Sequence, residues 1–458
     1  MPGRTGPPGA WKPWLTSTRA RSQHAADHHN ANDTTPHILP LMKMHVPRTR
    51  ERFALRRRAA VLCSTLVVAA CARPAPRPPE LVAMTTASAD SPAAATSALA
   101  NAVRDTAQSI LRRALADSAF PGAFAIIGTH VQVLAKVGVG HLDWAPSAEP
   151  DEHSLWDIAS LTKVIGMTSA VMQLTEHGRI ELDAPLQRYI PEWTGPHKER
   201  VTIRHLITHT SGLPAFKPYD RQTHDPDTLA ALMFSTALDT VPGARMVYSD
   251  IGAYMLGRLV ERVSGETLDA YVRNHVFGPL GMTETMYRPP SSLLSRIAPT
   301  EVDSSRGGKV HGFVHDERAY YLGGVSAHAG IFSSGHDLAR FAQMYLNGGT
   351  LDGVRIFGPE VIRQFTTRQV ADRALGWQKP DGRNSAGHLM SDRAFGHTGF
   401  TGTSLWIDPE RDVFVILLSN RVNPTRANQR IGRVRVALAD AVMSTVARFP
   451  TPAQGSRP

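Results

Sequence analysis

Hydrophobic residues recur every three or four positions in several stretches of the chain, a spacing that predicts amphipathic helices. This helical pattern covers residues 99–118, a stretch that begins at Asp250, residues 337–346 and residues 427–447. Apolar-rich runs of the length of a strand occupy residues 123–128, 132–137, 403–407 and 413–419. The turn between the last two runs contains Asp408, Pro409 and Asp412, so the pair is predicted to be a β-hairpin.

The longest buried helix is predicted to start in the segment Trp156 to Lys163 and to run to about His177, where Gly178 ends it. Ser160 and Lys163 are three residues apart, so a helix places both on one face. The amine would then lie next to the hydroxyl, and a serine hydroxyl needs a neighbouring base to act as a nucleophile near neutral pH. The first turn of a helix also presents unpaired N–H groups to a developing oxyanion.

Two further elements complete the parts that acyl transfer to a serine requires. Tyr248 and Asp250 follow a Pro-Gly turn, and His397-Thr398-Gly399 comes just before the strand 403–407. We expect Ser160 to be the nucleophile. Either Lys163, if burial lowers its pKa, or Tyr248 would be the base. The backbone N–H groups of Ser160 and Phe400 would form the oxyanion hole, and Gly399 would leave room for a substrate along the strand.

The charge of the chain does not indicate a nucleic-acid partner. The whole sequence has a formal net charge of +10, but residues 1–70 hold 11 basic and 3 acidic residues. The remainder therefore has a net charge of only +2, which removes the basis for a nucleic-acid-binding interpretation.

The basic segment has the features of an export signal. Residues 1–41 are predicted to be disordered or untranslated, and residues 42–71 resemble a signal peptide with a basic start and an apolar run too short to span a membrane. The run ends at Cys71, as in a bacterial lipobox, and an ordinary cleaved signal peptide is the alternative. Residues 72–98 would be a linker, residues 99–447 the folded domain and residues 448–458 a disordered tail.

Two patterns could suggest a metal site or a nucleotide-binding site, but neither is complete. His205 and His209 are four residues apart, but no glutamate follows His205 and no third ligand is evident, so we expect packing and turn-forming roles rather than a metal site. The glycines near Gly323 do not form the dinucleotide-binding pattern between a strand and a helix, so nucleotide binding is not predicted.

Taken together, the three elements resemble the serine β-lactamase-related and penicillin-binding protein family, which includes class C β-lactamases, D-Ala-D-Ala carboxypeptidases and family VIII-type esterases. Further signatures that carry this resemblance are the segments 209–214, 330–334 and 417–421. The resemblance covers about residues 99–447. It implies an α/β (α+β) sandwich, in which an antiparallel sheet is flanked by helices and a helical subdomain is inserted. It also implies a site without cofactor or metal.

Two positions depart from the family pattern. Asp250 stands where the family usually has asparagine, and a carboxylate near Lys163 would hold that residue as an ammonium. His397 stands where β-lactamases typically have lysine, and a mostly neutral imidazole anchors a substrate carboxylate less strongly. A dedicated β-lactamase is therefore the less favoured alternative.

The sequence thus predicts a lipid-anchored serine hydrolase of the cell envelope that acts through an acyl-enzyme. The substrate would be a small molecule or a peptidoglycan-type D-amino-acid peptide, or a small ester, and specificity is expected to reside in the loops 216–227 and 303–321. A non-catalytic cell-wall-binding protein is the alternative from another class. Retention of Ser160, Lys163 and Tyr248 argues against it.

Overall fold

The computed structural model describes residues 92–449. The predictions for residues 1–41, for the signal peptide with Cys71, for most of the linker and for most of the tail therefore lie outside the described residues. In the part that is described, no helix combines the length and the apolar character needed to cross a membrane.

Helices dominate the middle of the described chain, and strands lie mainly near its two ends. The α-helices are α1 Pro92–Ala116, α2 Ser169–Glu176, α3 Ile203–Ile207, α4 Pro226–Ser235, α5 Asp250–Ser264, α6 Leu268–Val272, α7 Glu317–Tyr321, α8 Gly335–Leu346, α9 Pro359–Thr366 and α10 Ile431–Val446. The strands are β1 Gly122–Gly128, β2 Val133–Gly140, β3 Trp156–Asp157, β4 Met286–Tyr287, β5 Val302–Asp303, β6 Gly308–Lys309, β7 Ile331–Ser333, β8 Thr350–Leu351, β9 Val354–Arg355, β10 Phe395–Thr398, β11 Ser404–Asp408 and β12 Val413–Ser419.

The central sheet joins the two ends of the domain. Its five strands lie in the order β10-β11-β12-β1-β2, and each neighbouring pair is antiparallel. Ile126 of β1 lies opposite Ile416 of β12 on one side and Lys136 of β2 on the other. The hairpin predicted from the apolar runs 403–407 and 413–419 is confirmed as β11 and β12.

Both faces of this sheet are covered, which explains why its central strands are continuously apolar. Side chains alternate between the faces of a strand, so Phe124 and Ile126 pack in one core while Ala125 and Ile127 pack in another. The second core is closed by α1 and α10, which pack against each other and against the sheet. The first core continues into the helical region.

That helical region is inserted between β2 and β10 and carries α2 to α9. A small antiparallel sheet in the order β3-β7-β4 lies at its base. The arrangement confirms the predicted fold class: an antiparallel sheet flanked by helices, with a helical insertion. The candidate site residues come from both parts, so the site lies where the insertion meets the edge strand β10.

The buried helix differs from its prediction at the N-terminal end. Trp156 and Asp157 are not helical but form β3, paired with Ser333 and Phe332 of β7. Helical backbone begins only after Ser160, and it first passes through a π-helical stretch, Lys163–Thr168, before α2. The hydrophobic pattern could not separate a two-residue strand from the helix that follows, because both are buried.

The terminal helices also have shifted boundaries. Helix α1 begins at Pro92 rather than Leu99. Helix α10 begins at Ile431 rather than Ala427, because Asn428 lies in a turn where its side chain donates to the carbonyls of Ser118 and Ala119.

Candidate active site

Ser160 follows a sharp turn that leads out of β3. Ala159, just before it, has a left-handed backbone with φ of +46°, a conformation that costs a non-glycine residue about 1–2 kcal/mol. The turn is held by the buried carboxylate of Asp157, which accepts hydrogen bonds from the N–H groups of Ala159 at 2.8 Å and His315 at 2.6 Å. Burial raises the pKa of Asp157, although both N–H donors oppose this shift. Sequence reasoning missed this supporting role of Asp157.

Lys163 lies next to Ser160, as the three-residue spacing predicted. Its Nζ is 3.1 Å from Ser160 Oγ, 2.9 Å from the His328 carbonyl oxygen and 2.8 Å from Asp250 Oδ1. Burial is the largest single effect on the pKa of Lys163 and lowers it, but the interactions with Asp250 and Tyr248 together outweigh burial, so the net pKa is raised. Of the two opposing expectations for Lys163, the geometry therefore favours the ammonium form.

Asp250, the first residue of α5, has two cationic neighbours. Oδ1 contacts Lys163, and Oδ2 accepts from Arg318 Nη2 at 2.7 Å. Burial by itself would raise the pKa of Asp250, but the positive charges around it hold the pKa well below its usual range. Ser249 precedes Asp250 and caps α5 by accepting from the Gly252 N–H, so the start of the helix determines where this carboxylate points.

Tyr248 lies among four cationic or imidazole side chains. The Lys163 Nζ is 4.9 Å and the Arg373 guanidinium carbon 5.2 Å from the centre of its ring. The rings of His209 and His397 have their centres 4.6 and 5.7 Å away. The phenol oxygen is buried, and its interaction with Lys163 helps to raise the pKa of that lysine. A phenol placed beside an amine in this way is the kind of group that can exchange a proton with a ligand.

His397 is a buried, neutral residue on β10. Burial, and then the charge of Arg373, lower the pKa of His397 well below its usual value. Its Nδ1 donates to the Thr398 carbonyl oxygen at 2.9 Å, which leaves Nε2 to accept from Arg373 Nη1 at 3.5 Å. Arg373 was not among the sequence predictions. It reaches β10 because its own loop pairs with that strand through Gln378 and Gly396.

The turn between β10 and β11 lies against the backbone that leads to Ser160. Thr401 and Thr403 donate to the carbonyls of Asp157 and Ile158 at 2.7 and 3.1 Å. A Cβ at Gly399 would be only 2.4 Å from the Ile158 carbonyl oxygen, so this close approach requires glycine.

The two predicted oxyanion-hole donors flank this contact in sequence, since Ser160 follows Ile158 by two residues and Phe400 precedes Thr401. The N–H groups of Ser160 and Phe400 donate to no other residue in the described part of the chain. Arg435 of α10 fixes the back of the turn by donating to the carbonyls of Gly399 and Thr403 at 2.6 and 2.8 Å.

The two histidines considered as metal ligands have local contacts instead. His205 Nδ1 accepts from the Thr202 N–H at the start of α3, and His209 Nδ1 accepts from the Ser249 N–H. Within residues 92–449, no group of three or more metal-binding side chains is present.

The two loops expected to set specificity contact each other. His224 stacks on Tyr321 with ring centres 3.9 Å apart, and the Arg318 guanidinium lies 5.7 Å from the exposed ring of Phe216. Because Arg318 also contacts Asp250, these loops border the site.

A family model described as beta-lactamase matches residues 107–439. The chain belongs to the beta-lactamase family. A curated relative from Escherichia coli O157:H7 that carries the name "Putative D-alanyl-D-alanine carboxypeptidase" is 32% identical over 344 residues, which span 67% of this chain and 79% of the relative. As a beta-lactamase-family member with relatives of this kind, the protein is a serine hydrolase.

Solved structures of beta-lactamase-family type share its fold. A penicillin-binding protein homolog from Caulobacter crescentus has a TM-score of 0.62 at 20% identity, covering 74% of this chain and 97% of its own. EstCE1, a hydrolase with promiscuous acyltransferase activity, has a TM-score of 0.61 at 20% identity, covering 75% of this chain and 99% of its own.

Proposed function

We propose that the protein hydrolyses D-amino-acid peptides of the D-alanyl-D-alanine type through an acyl-enzyme on Ser160. The observation that carries this proposal is the 3.1 Å contact between Ser160 Oγ and the buried Lys163 Nζ, at the start of a helix and beside two unpaired backbone N–H groups. A nucleophile, proton-exchanging partners and an oxyanion site are the parts that acyl transfer needs.

The first step is attack of Ser160 Oγ on the carbonyl carbon of the terminal peptide bond. The negative charge that develops on the carbonyl oxygen is stabilised by the N–H groups of Ser160 and Phe400. Asp250 keeps Lys163 as an ammonium that donates to Oγ, so Tyr248 is proposed as the group that takes the serine proton. The same proton is then delivered to the departing amine, and water releases the acyl group in a second step.

Recognition of the terminal carboxylate is proposed to depend on Arg373 rather than on His397. The neutral imidazole supplies no positive charge, whereas the Arg373 guanidinium beside it is buried and permanently charged. Thr398, at the end of β10, lies next to His397 and would add a hydroxyl donor. A peptide that ends in a free carboxylate therefore fits the site better than a neutral one.

An esterase acting on small apolar acyl groups is the second candidate. Phe216 is 58% and Phe400 48% exposed. Phe400 follows directly after Gly399, and Phe216 lies over Arg318. An apolar acyl group would remove these exposed side chains from water, which favours its binding.

Export, and attachment to the membrane through a lipid on Cys71, are part of the proposal. The support is the sequence pattern of residues 42–71 alone. Export would bring the enzyme to the compartment in which peptidoglycan-type substrates are found.

The deciding experiment is intact-mass analysis of the purified protein after a fluorophosphonate, and separately after a penicillin. Ser160→Ala is the test variant and Ser292→Ala, an exposed serine, the matched control. Both adducts should form in the unchanged protein and in Ser292→Ala, and both should be absent in Ser160→Ala.

Release of D-alanine from a synthetic acyl-D-Ala-D-Ala peptide, compared with hydrolysis of a p-nitrophenyl ester, then separates the two substrate classes. Peptide turnover with a long-lived penicilloyl adduct supports the carboxypeptidase. Rapid loss of that adduct would point to a β-lactamase, and ester turnover alone to an esterase. No adduct with either reagent would overturn the proposal in favour of a non-catalytic binding protein.

A further inference from the structure

Five residues form a closed ring of contacts behind Ser160, here termed the charged ring: Lys163, Asp250, Arg318, Asp316 and His328. Lys163 Nζ contacts Asp250 Oδ1 at 2.8 Å, and Asp250 Oδ2 contacts Arg318 Nη2 at 2.7 Å. The same Nη2 lies 3.2 Å from Asp316 Oδ2, and Asp316 Oδ1 lies 2.9 Å from His328 Nε2. The His328 carbonyl oxygen then returns to Lys163 Nζ at 2.9 Å.

The ring is largely shielded from water and its charges balance. The side chains of Lys163 and His328 are each 1% exposed, that of Arg318 is 10% exposed, and those of Asp250 and Asp316 are 19% and 21% exposed. Two cationic side chains, Lys163 and Arg318, are matched by two carboxylates, Asp250 and Asp316. Burial disfavours each of these charges by itself, so the ring is stable only if every charge has its partner.

Asp250 is the member that requires an explanation, because a carboxylate stands at a position where the resembling family usually has a neutral asparagine. Without Arg318, the ring would hold two carboxylates and only the Lys163 ammonium to balance them, which leaves one negative charge in excess beside Ser160. Arg318 contacts the other oxygen of the Asp250 carboxylate and supplies the missing positive charge.

We propose that Arg318 is a positioning residue that offsets the charge of Asp250 and thereby sets the pH range in which the proton acceptor beside Ser160 works. This inference rests on the proposed function. Arg318 acts through Asp250 and Lys163 without touching Oγ. The pKa directions agree with the geometry: Asp250 and Asp316 both have a pKa below the usual range of a carboxyl group, and the pKa of Arg318 is raised despite its burial.

The direction in which the pH profile shifts when a nearby charge is removed does not depend on whether Lys163 or Tyr248 accepts the serine proton. Removing a positive charge from the neighbourhood stabilises the protonated form of either group, and removing a negative charge does the opposite. The charged and titratable groups that face this acceptor from all packed elements are Asp250, Arg318, Asp316, His328, His209, Arg373 and His397.

The test is the pH dependence of the rate at which a fluorophosphonate labels the protein, measured in four proteins. Arg318→Gln should move the rising limb of the profile to higher pH by roughly one unit, the scale of a nearby charge. Asp250→Asn should move it to lower pH by a similar amount. The double variant removes one charge of each sign, so its profile should return to within a few tenths of a unit of the unchanged protein.

Arg363→Gln is the matched control, since Arg363 forms an exposed pair with Glu360 on α9 and should leave the profile unchanged. Arg318→Lys keeps the charge and should keep the midpoint even if the rate falls. If Arg318→Gln does not fold, the double variant tests the inference, because its midpoint must then lie at higher pH than that of Asp250→Asn, which retains Arg318.

The experiment distinguishes failure of the inference about Arg318 from failure of the proposed function. If the unchanged protein is labelled but Arg318→Gln loses rate without a shift of the profile, or the double variant fails to cancel the shifts, Arg318 has a purely structural role and the inference is wrong. If the unchanged protein is not labelled at all, the proposed function itself is wrong.

Discussion

Arg373 Nη1 lies 3.5 Å from His397 Nε2, so the positive charge at this end of the site belongs to a loop residue and not to the strand residue. Burial and the neighbouring guanidinium keep the pKa of His397 well below its usual value. The residue that replaces the typical lysine is therefore neutral, and Arg373 restores the charge from an adjacent loop. This pair explains how the site could accept a carboxylate without the family's usual lysine.

Replacing Arg373 with glutamine should weaken binding of peptides that end in a free carboxylate. A hydrogen bond to a charged group contributes about 1.5–3 kcal/mol, so kcat/KM for an acyl-D-Ala-D-Ala peptide should fall about 10- to 100-fold. For the same peptide with a C-terminal amide, kcat/KM should fall far less. Arg383→Gln, at an exposed position, is the control, and equal losses with acid and amide would contradict the assigned role.

Protonation of buried histidines should destabilise the fold in mild acid. The pKa of His209 is lowered well below its usual value, first by burial and then by Arg373. The unfolded chain therefore binds a proton below about pH 6.5 that the folded one does not, so the stabilisation is complete above that pH and is lost as pH falls.

For His209 alone, the free energy of unfolding should decrease by at most about 1.4 kcal/mol for each unit by which the pH falls. Unfolding in urea at pH 7, 6 and 5 should show a smaller decrease for His209→Gln than for the unchanged protein, because glutamine can still accept from the Ser249 N–H but does not titrate. An identical decrease in both proteins would show that His209 does not contribute.

Asp157 should be required for the turn that presents Ser160. Asp157→Asn replaces one acceptor with an NH2 group, so either the Ala159 or the His315 N–H loses its partner. The expected cost is about 1–3 kcal/mol of unfolding free energy, together with slower labelling of Ser160. Urea unfolding and labelling rates measure both effects. Asp117→Asn, at an exposed position, should change neither.

Arg435 should affect catalysis through the turn that carries Phe400. Loss of its hydrogen bonds to the Gly399 and Thr403 carbonyls would loosen one oxyanion-hole donor, and removal of one such donor typically lowers kcat about 100- to 1,000-fold. For Arg435→Gln we expect a fall in kcat of at least about tenfold with little change in KM. Arg433→Gln, exposed on the same helix, should behave as the unchanged protein, and an unchanged kcat in Arg435→Gln would refute this role.

Sequence reasoning was most successful where local pattern and packing agree. The strand at residues 413–419 is confirmed without a shift in its boundaries, because it is apolar on both faces and bounded by a turn. The proximity of Ser160 and Lys163 followed from their three-residue spacing. Trp156 and Asp157 were assigned to the wrong element, because their strand exists only through pairing with β7, which lies more than 170 residues further along the chain.

The order of the three elements and the buried helix beside Ser160 are properties that the amino-acid sequence determines by itself, since each depends on local spacing or on apolar periodicity. The fold class was predicted from the sequence as well, through the family resemblance that these elements carry. The partners of Asp250 and His397 were decided only in the tertiary structure. Arg318 of helix α7 and Arg373 of a loop come from segments distant in sequence, and nothing in the local pattern marks an arginine that will be buried against a particular carboxylate or imidazole. Burial then determines the protonation states, because the pKa of Lys163 is set by the balance between its own desolvation and its interactions with Asp250 and Tyr248.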